Sequence, residues 1–177
     1  MKVLVSACLM GRNCKYNGGN NYSVELRDFL NGKEVIEVCP EVAAGMPVPR
    51  PPVEIAEGAV TDIHGKNVDV LYRQGVARVM EQIQNEDIEY AVLQSRSPTC
   101  GVKQIYDGTF SKKLIEGRGI LAEALIQAGY RVIDVEDLKN DTHSGIPYRT
   151  ELDEARPLEE HVLGSARKEK NLLRKCR

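Results

Sequence analysis

Three of the five cysteines in this 177-residue chain, Cys8, Cys39 and Cys100, each follow a short apolar run with the composition of a buried strand. Taken singly, a cysteine in that place reads as a small buried hydrophobe, because free cysteine is often buried. Together they read differently. Ligands of open α/β sheets bind beyond the carboxyl ends of the strands. If the three runs are adjacent and parallel, the three thiols lie on one edge of the sheet. Soft thiolates gathered there suit an iron–sulfur cluster, zinc or copper. Pro40 beside Cys39, Gly101 beside Cys100 and Gly11 near Cys8 let backbone amides approach and hydrogen-bond sulfur. No C-x-x-C pair occurs, which argues against a zinc ribbon or a thioredoxin-type redox centre. Any centre must be assembled from distant segments.

The elements that would position these thiols can be read from periodicity. Lys2–Ala7, Glu34–Val38, Glu89–Gln94 and Tyr130–Val135 are apolar, β-rich runs and are expected as strands. Ser23 can cap a brief helix running to Asn31-Gly32, and Gly119–Ala128 is a helix stopped by Gly129. Asp69 is expected to N-cap a long helix whose stripe is Leu71, Val76, Val79, Met80 and Ile83. The prolines between Gly45 and Pro52 predict a stiff extended loop, and residues 53–63, with Gly58, a small hairpin or irregular crossing. Asp107-Gly108 reads as a hairpin turn flanked by Tyr106 and Phe110. The alternation gives an α/β, Rossmann-like three-layer domain with a mostly parallel sheet over residues 1–138. Residues 139–177 read as a polar to basic C-terminal extension.

Composition narrows the function classes. Hydrophobic content of 42% and charged content of 28% are those of an ordinary globular protein. A formal net charge of −2 argues against a nucleic-acid partner, which asks for a face rich in Lys and Arg. The run Val3–Ala7 is too short to span a bilayer and lacks the flanks of a signal peptide, so no membrane partner and a cytoplasmic location are expected. Disulfides are rare in that compartment, which leaves the cysteines as metal ligands, nucleophiles or buried thiols.

Three long segments carry a resemblance. Ser6-Ala-Cys-Leu-Met-Gly-Arg-Asn-Cys-Lys-Tyr-Asn-Gly18, Cys39-Pro-Glu-Val-Ala-Ala-Gly-Met-Pro-Val-Pro-Arg-Pro-Pro-Val-Glu54 and Ser95-Arg-Ser-Pro-Thr-Cys-Gly101, followed by Ile105-Tyr-Asp-Gly-Thr-Phe110, are similar to the thiouracil desulfurase family, once named domain of unknown function 523. The resemblance runs in order over roughly residues 1 to 136. It implies a [4Fe-4S] cluster with three cysteine ligands, mapping onto Cys8, Cys39 and Cys100, and one open iron. It also implies an iron–sulfur-dependent desulfurase that removes sulfur from a thiolated nucleobase or similar small thio-heterocycle by non-redox hydrolysis, releasing sulfide. The chain departs from the family pattern at Ala43-Ala44, at Thr99 and in its C-terminal extension, which bears on the pocket's shape and hence its substrate.

Within that frame Glu41, two residues past a ligand, is the first candidate for acid or base, against the alternative of an exposed loop carboxylate. Ser95 and Ser97 are candidates to hydrogen-bond the substrate ring or a cluster sulfide. Arg50 and Arg96 are candidates to orient or neutralise negative charge, against the alternative of structural ion pairs. Asn17 reads first as a turn residue and second as a pocket contact. Cys14 reads as a buried thiol rather than a fourth ligand, and nothing ties Cys176 to the site. His64, His143 and His161 lack metal-ligand spacing. The competing reading is a non-enzymatic metal-binding or regulatory module, with Cys14 helping to close a structural zinc site.

Overall fold

A computed structural model describes residues 1–140. His143, His161, Cys176 and the extension from 141 onward lie outside the described residues. Along the chain run β1 (Lys2–Ser6), a 3-10 turn (Ala7–Met10), α1 (Val24–Phe29), β2 (Glu34–Val38), α2 (Pro40–Ala43), β3 (Val53–Ala56) and β4 (Ala59–Asp62). Then come α3 (Asp69–Ile83), β5 (Ile88–Leu93), β6 (Gln104–Tyr106), β7 (Leu114–Glu116), α4 (Ile120–Gln127), β8 (Val132–Asp134) and α5 (Val135–Asn140).

The expected parallel sheet is present. Its four strands lie in the order β2-β1-β5-β8, with every neighbouring pair parallel. Two short antiparallel ribbons, β3-β4 and β6-β7, sit apart from it. The strands read as continuous apolar runs because both faces are covered. Leu4, Ala91 and Leu93 point to the face packed by Val76, Val79 and Ile83 of α3 and by Leu121 and Leu125 of α4. Val3, Val5, Tyr90 and Val92 point the other way, onto Leu26 and Leu30 at α1. The period of two along each strand thus makes the three layers.

Local chemistry sets most boundaries. Ser23 Oγ accepts a hydrogen bond from the Leu26 amide at 3.1 Å, which starts α1 as expected. Asp69 is not the N-cap of α3. It is the first helical residue, and its carboxylate pairs with Arg73 one turn on at 2.6 Å and accepts the Val60 amide at 3.1 Å, tying the helix to β4. The buried stripe is correspondingly rotated. Tyr72 and Gly75 join Val76, Val79 and Ile83 in it, whereas Leu71 stays 40% exposed. Residues 53–62 form the hairpin, turned at Glu57 and Gly58. Asp107-Gly108 does not make a two-residue turn; β6 and β7 are joined by a longer loop, 107–113, in which the Asp107 carboxylate accepts the Thr109 amide at 3.0 Å. Two short helices escaped the periodicity, α2 with Pro40 at its first position and α5, which runs across the expected boundary at 138. Among the described residues no helix is long and apolar enough to cross a membrane.

Two glycines press the sheet's helices against the cysteine loops. A Cβ on Gly75 of α3 would lie 2.1 Å from the Pro40 carbonyl oxygen in α2. A Cβ on Gly119, at the start of α4, would lie 2.4 Å from the Thr99 carbonyl carbon. Gly75→Ala is therefore expected to cost about 1–3 kcal/mol of unfolding free energy in a urea titration, as overpacking does. A loss under a few tenths would mean that α2 can simply slide away.

Candidate metal centre

The three thiols singled out by their strand ends are delivered by three different local devices. Cys8 sits in the 3-10 turn directly after β1, closed by Gly11 in the left-handed region at φ 89°. The Cys8 carbonyl accepts amides from Gly11 at 3.3 Å and Asn21 at 2.9 Å, which folds the first loop back over the turn. Cys39 is the extended N-cap of α2, where the proline that ends the strand also opens the helix. Cys100 closes a tight turn in which Ser97 Oγ accepts the Thr99 and Cys100 amides, each at 3.1 Å, and the Ser97 carbonyl accepts Gly101 N–H at 2.8 Å.

Cys14 completes the group. It is 8% exposed, and its thiol is in hydrogen-bond contact with those of both Cys39 and Cys8. All four thiols are free. Cys100 lies within electrostatic reach of Cys39, Cys14 and Glu41, and its thiol is hydrogen-bonded with Ser6, whose hydroxyl also accepts the Gln94 amide at 3.1 Å. Among the described residues no three ligating side chains share a point where a single metal ion would sit, even though the Cys14 thiol touches those of Cys8 and Cys39.

Glu41 is buried at 9% exposure among them. Thr99 Oγ1 donates to one carboxylate oxygen at 2.7 Å and the Cys39 thiol donates to the other at 3.2 Å. This carboxylate contributes to the raised pKa values of Cys14, Cys39, Tyr72 and Cys100. The hydrogen bond with Cys39 lowers the Cys14 pKa, but the bond with Cys8, burial and the neighbouring charges outweigh it and push the thiol up to about 11. Cys39 is raised well above the ordinary thiol range, first by its bond with Cys14 and then by burial and by Glu41. Burial, followed by the charge of Glu41, does the same to Cys100. Each of these three shifts favours the protonated thiol, and metal ligation at Cys39 and Cys100 would have to displace those protons.

Arg50 reaches this group from the proline-rich loop. Its Nη2 donates to the Cys14 carbonyl at 3.0 Å, its guanidinium lies beside the Tyr72 hydroxyl, and its own amide donates to the Tyr16 carbonyl at 2.7 Å. The other expected site residues have partners elsewhere. Ser95 Oγ donates to the Asp134 carboxylate. Arg96, in the left-handed region at φ 59°, pairs with Glu136 at 2.7 Å. The Asn17 side chain accepts the Gly19 amide at 3.1 Å, the turn its sequence context favours. A cavity of about 990 Å3 opens over Ser95, Arg96, Lys103, Arg118 and Glu136, and no cysteine lines it. That open, charged groove is lined in part by Ser95 and Arg96, from the loop that carries Cys100, rather than by thiols.

Sequence reasoning did not name Ser6, Thr99 or Tyr72 as members of the group. Tyr72 carried a usable signal: it falls on the helical spacing of Val76, Val79 and Ile83, and a tyrosine on a buried stripe needs a polar partner. Ser6 and Thr99 lay inside the motifs that carry the resemblance, but only the fold brings them to Cys100 and Glu41.

The 2-thiouracil desulfurase family profile matches residues 3–137. The chain is 37% identical over 148 residues to the uncharacterized protein YbbK of Bacillus subtilis (strain 168), covering 78% of this chain and 98% of YbbK. It superposes with a TM-score of 0.72 on the solved structure of the [4Fe-4S]-dependent thiouracil desulfidase TudS, at 32% identity, over 78% of this chain and 93% of that one. With its parallel sheet, its converging thiols and a profile match over more than three quarters of its length, the chain belongs to the 2-thiouracil desulfurase family.

Proposed function

We propose that this protein is an iron–sulfur-dependent desulfurase that hydrolyses the carbon–sulfur double bond of a small thiolated nucleobase or similar heterocycle. The observation that carries the reading is that Cys39 and Cys100 lie beside the buried carboxylate of Glu41, while Cys14 links Cys39 to Cys8. The donor set fits an iron–sulfur group, because soft sulfur dominates it and Glu41 is the one hard ligand among the thiols. Cys8, Cys39 and Cys100 would hold a [4Fe-4S] cluster. When bound through three cysteines, the cluster supplies a thiophilic iron with one position open to the substrate's sulfur.

The protein's own residues do the rest. Thr99 fixes one oxygen of Glu41, which leaves the other facing the substrate side once Cys39 has given up its proton. That oxygen takes a proton from water as the water attacks the thiocarbonyl carbon, and then returns it to the leaving sulfur. One thiocarbonyl and one water thus give one carbonyl and one hydrogen sulfide: the water's oxygen replaces the sulfur on carbon, both its protons leave with the sulfur, and no electron is exchanged. Arg50 is proposed to orient the ring, and Ser97 to hold the Cys100 loop rigid. Ser95, Arg96 and Asn17 would exchange their partners at Asp134, Glu136 and Gly19 to touch the substrate.

The place of Cys14 against Cys8 and Cys39 favours a second reading, a closed four-thiolate zinc site without chemistry. Metal analysis after anaerobic reconstitution separates the two. The desulfurase reading expects a brown protein with about four irons per chain, lost in Cys8→Ser, Cys39→Ser and Cys100→Ser but kept in Cys14→Ser. Loss of metal in Cys14→Ser, in a colourless zinc protein, would establish the closed site instead. Glu41→Gln should keep its iron yet lower sulfide release from 2-thiouracil about 10²- to 10⁴-fold, the range for a missing acid or base. Undiminished release would remove Glu41 from the chemistry.

A further inference from the structure

The hydrogen bonds around Arg50 are incomplete in a way that points to a ligand. Its Nη2 and Nη1 reach the carbonyls of Cys14, at 3.0 Å, and Pro47, at 3.5 Å, so its partners are backbone oxygens and the Tyr72 phenol rather than a carboxylate. Its Nε is buried and has no partner. A buried guanidinium N–H left unpaired is costly, and such vacancies in native structures call for an explanation. Tyr72 explains how the vacancy is kept open. It is 4% exposed on α3, three residues before Gly75, where the helix is pressed hardest against Pro40 and Ala44. Its hydroxyl therefore cannot turn to solvent and is held between Arg50 and the surroundings of Glu41 and Cys39. Burial, with the charge of Glu41, pushes the phenol up to about 12, so it stays a neutral hydrogen-bonding group at physiological pH.

We propose that Tyr72 is a positioning residue that fixes the Arg50 guanidinium with Nε–H turned toward the substrate, so that the pair selects thio-heterocycles bearing a ring carbonyl beside the thiocarbonyl. The inference rests on the desulfurase reading for the place where the ring binds and adds a specificity rule to it. The chemistry is that of a charge-assisted N–H···O=C bond from a preorganised donor. A site built around such a bond rejects analogues lacking the acceptor, because its own buried donor is then left unpaired. An unsubstituted 2-thiopyrimidine offers sulfur but no such oxygen, whereas 2-thiouracil offers both.

Calorimetry on the cluster-free chain tests this without any turnover, using uracil and pyrimidin-2-one, which differ in that second carbonyl. The full chain should bind uracil the more tightly. Tyr72→Phe, which keeps the ring and drops the hydroxyl, should lose about ten-fold in uracil affinity and none for pyrimidin-2-one, the value of one hydrogen bond. Arg50→Lys, which keeps charge but loses the fork, should erase the preference as well. In the iron-loaded enzyme, Tyr72→Phe should raise KM for 2-thiouracil about ten-fold at unchanged kcat and leave iron content and thermal midpoint where they were. Equal losses for both ligands, an unchanged uracil affinity, or no uracil binding by the unmodified chain would each overturn the inference. Failure of the iron-loaded protein to release sulfide from any thiolated ring would sink the desulfurase reading, whatever uracil does.

Discussion

The parallel register of β2, β1 and β5 is the constraint on which the rest depends. Ser6 pairs with Val38 and Val5 with Val92, so the three strands end nearly flush. Cys39 follows its strand by one residue and Cys8 follows its strand by two, which delivers both thiols to the same rim before any loop has been specified. A slip of one residue in either pairing would turn the buried valines and leucines outward and carry the thiols to the wrong face. The apolar interleaving of both sheet faces therefore protects the site, because the residues that hold the register are the ones with nowhere else to go.

A flush rim is not yet a site. Cys100 lies seven residues past the end of β5 and comes back to the rim only because Ser97 caps its turn and Gly119 lets α4 sit against Thr99. Glu41 is brought in by the same logic from the other side, through Gly75, which permits α3 to touch α2. These close approaches make the pocket stiff. They also dehydrate it, which together with the hydrogen bonds among the thiols and the charge of Glu41 raises Cys14, Cys39 and Cys100.

The thiol group and the open groove over Arg96 and Glu136 differ in their lining. The groove lies toward β8, where the loops are charged and laced by exposed ion pairs, features that contribute little energy and adapt readily. The thiol group lies toward β2 and β1, where Glu41, Thr99 and Ser6 are all hydrogen-bonded. Arg50 Nε is a departure from that economy, and a buried unpaired donor is more informative than a large polar opening.

How much of this was legible in the chain depended on the range of the interactions involved. The four strands of the parallel sheet and the α/β class were written locally, in apolar runs that end just before Cys8 and Cys39 and short of Cys100, since period survives without tertiary context. The N-cap at Ser23 and the turn at Asn17 were local too. The short helices α2 and α5 were not, because a few residues leave no period to detect. Which side chains join the cysteines was settled by long-range packing. Thr99 is 58 residues from Glu41, and Ser95, a neighbour of the same motif, turns instead to Asp134, 39 residues on. The order of amino acids specified the donors and the strands that carry them; folding chose their company, because hydrogen bonds between distant side chains depend on how helices settle on a sheet and leave no periodic trace in the chain.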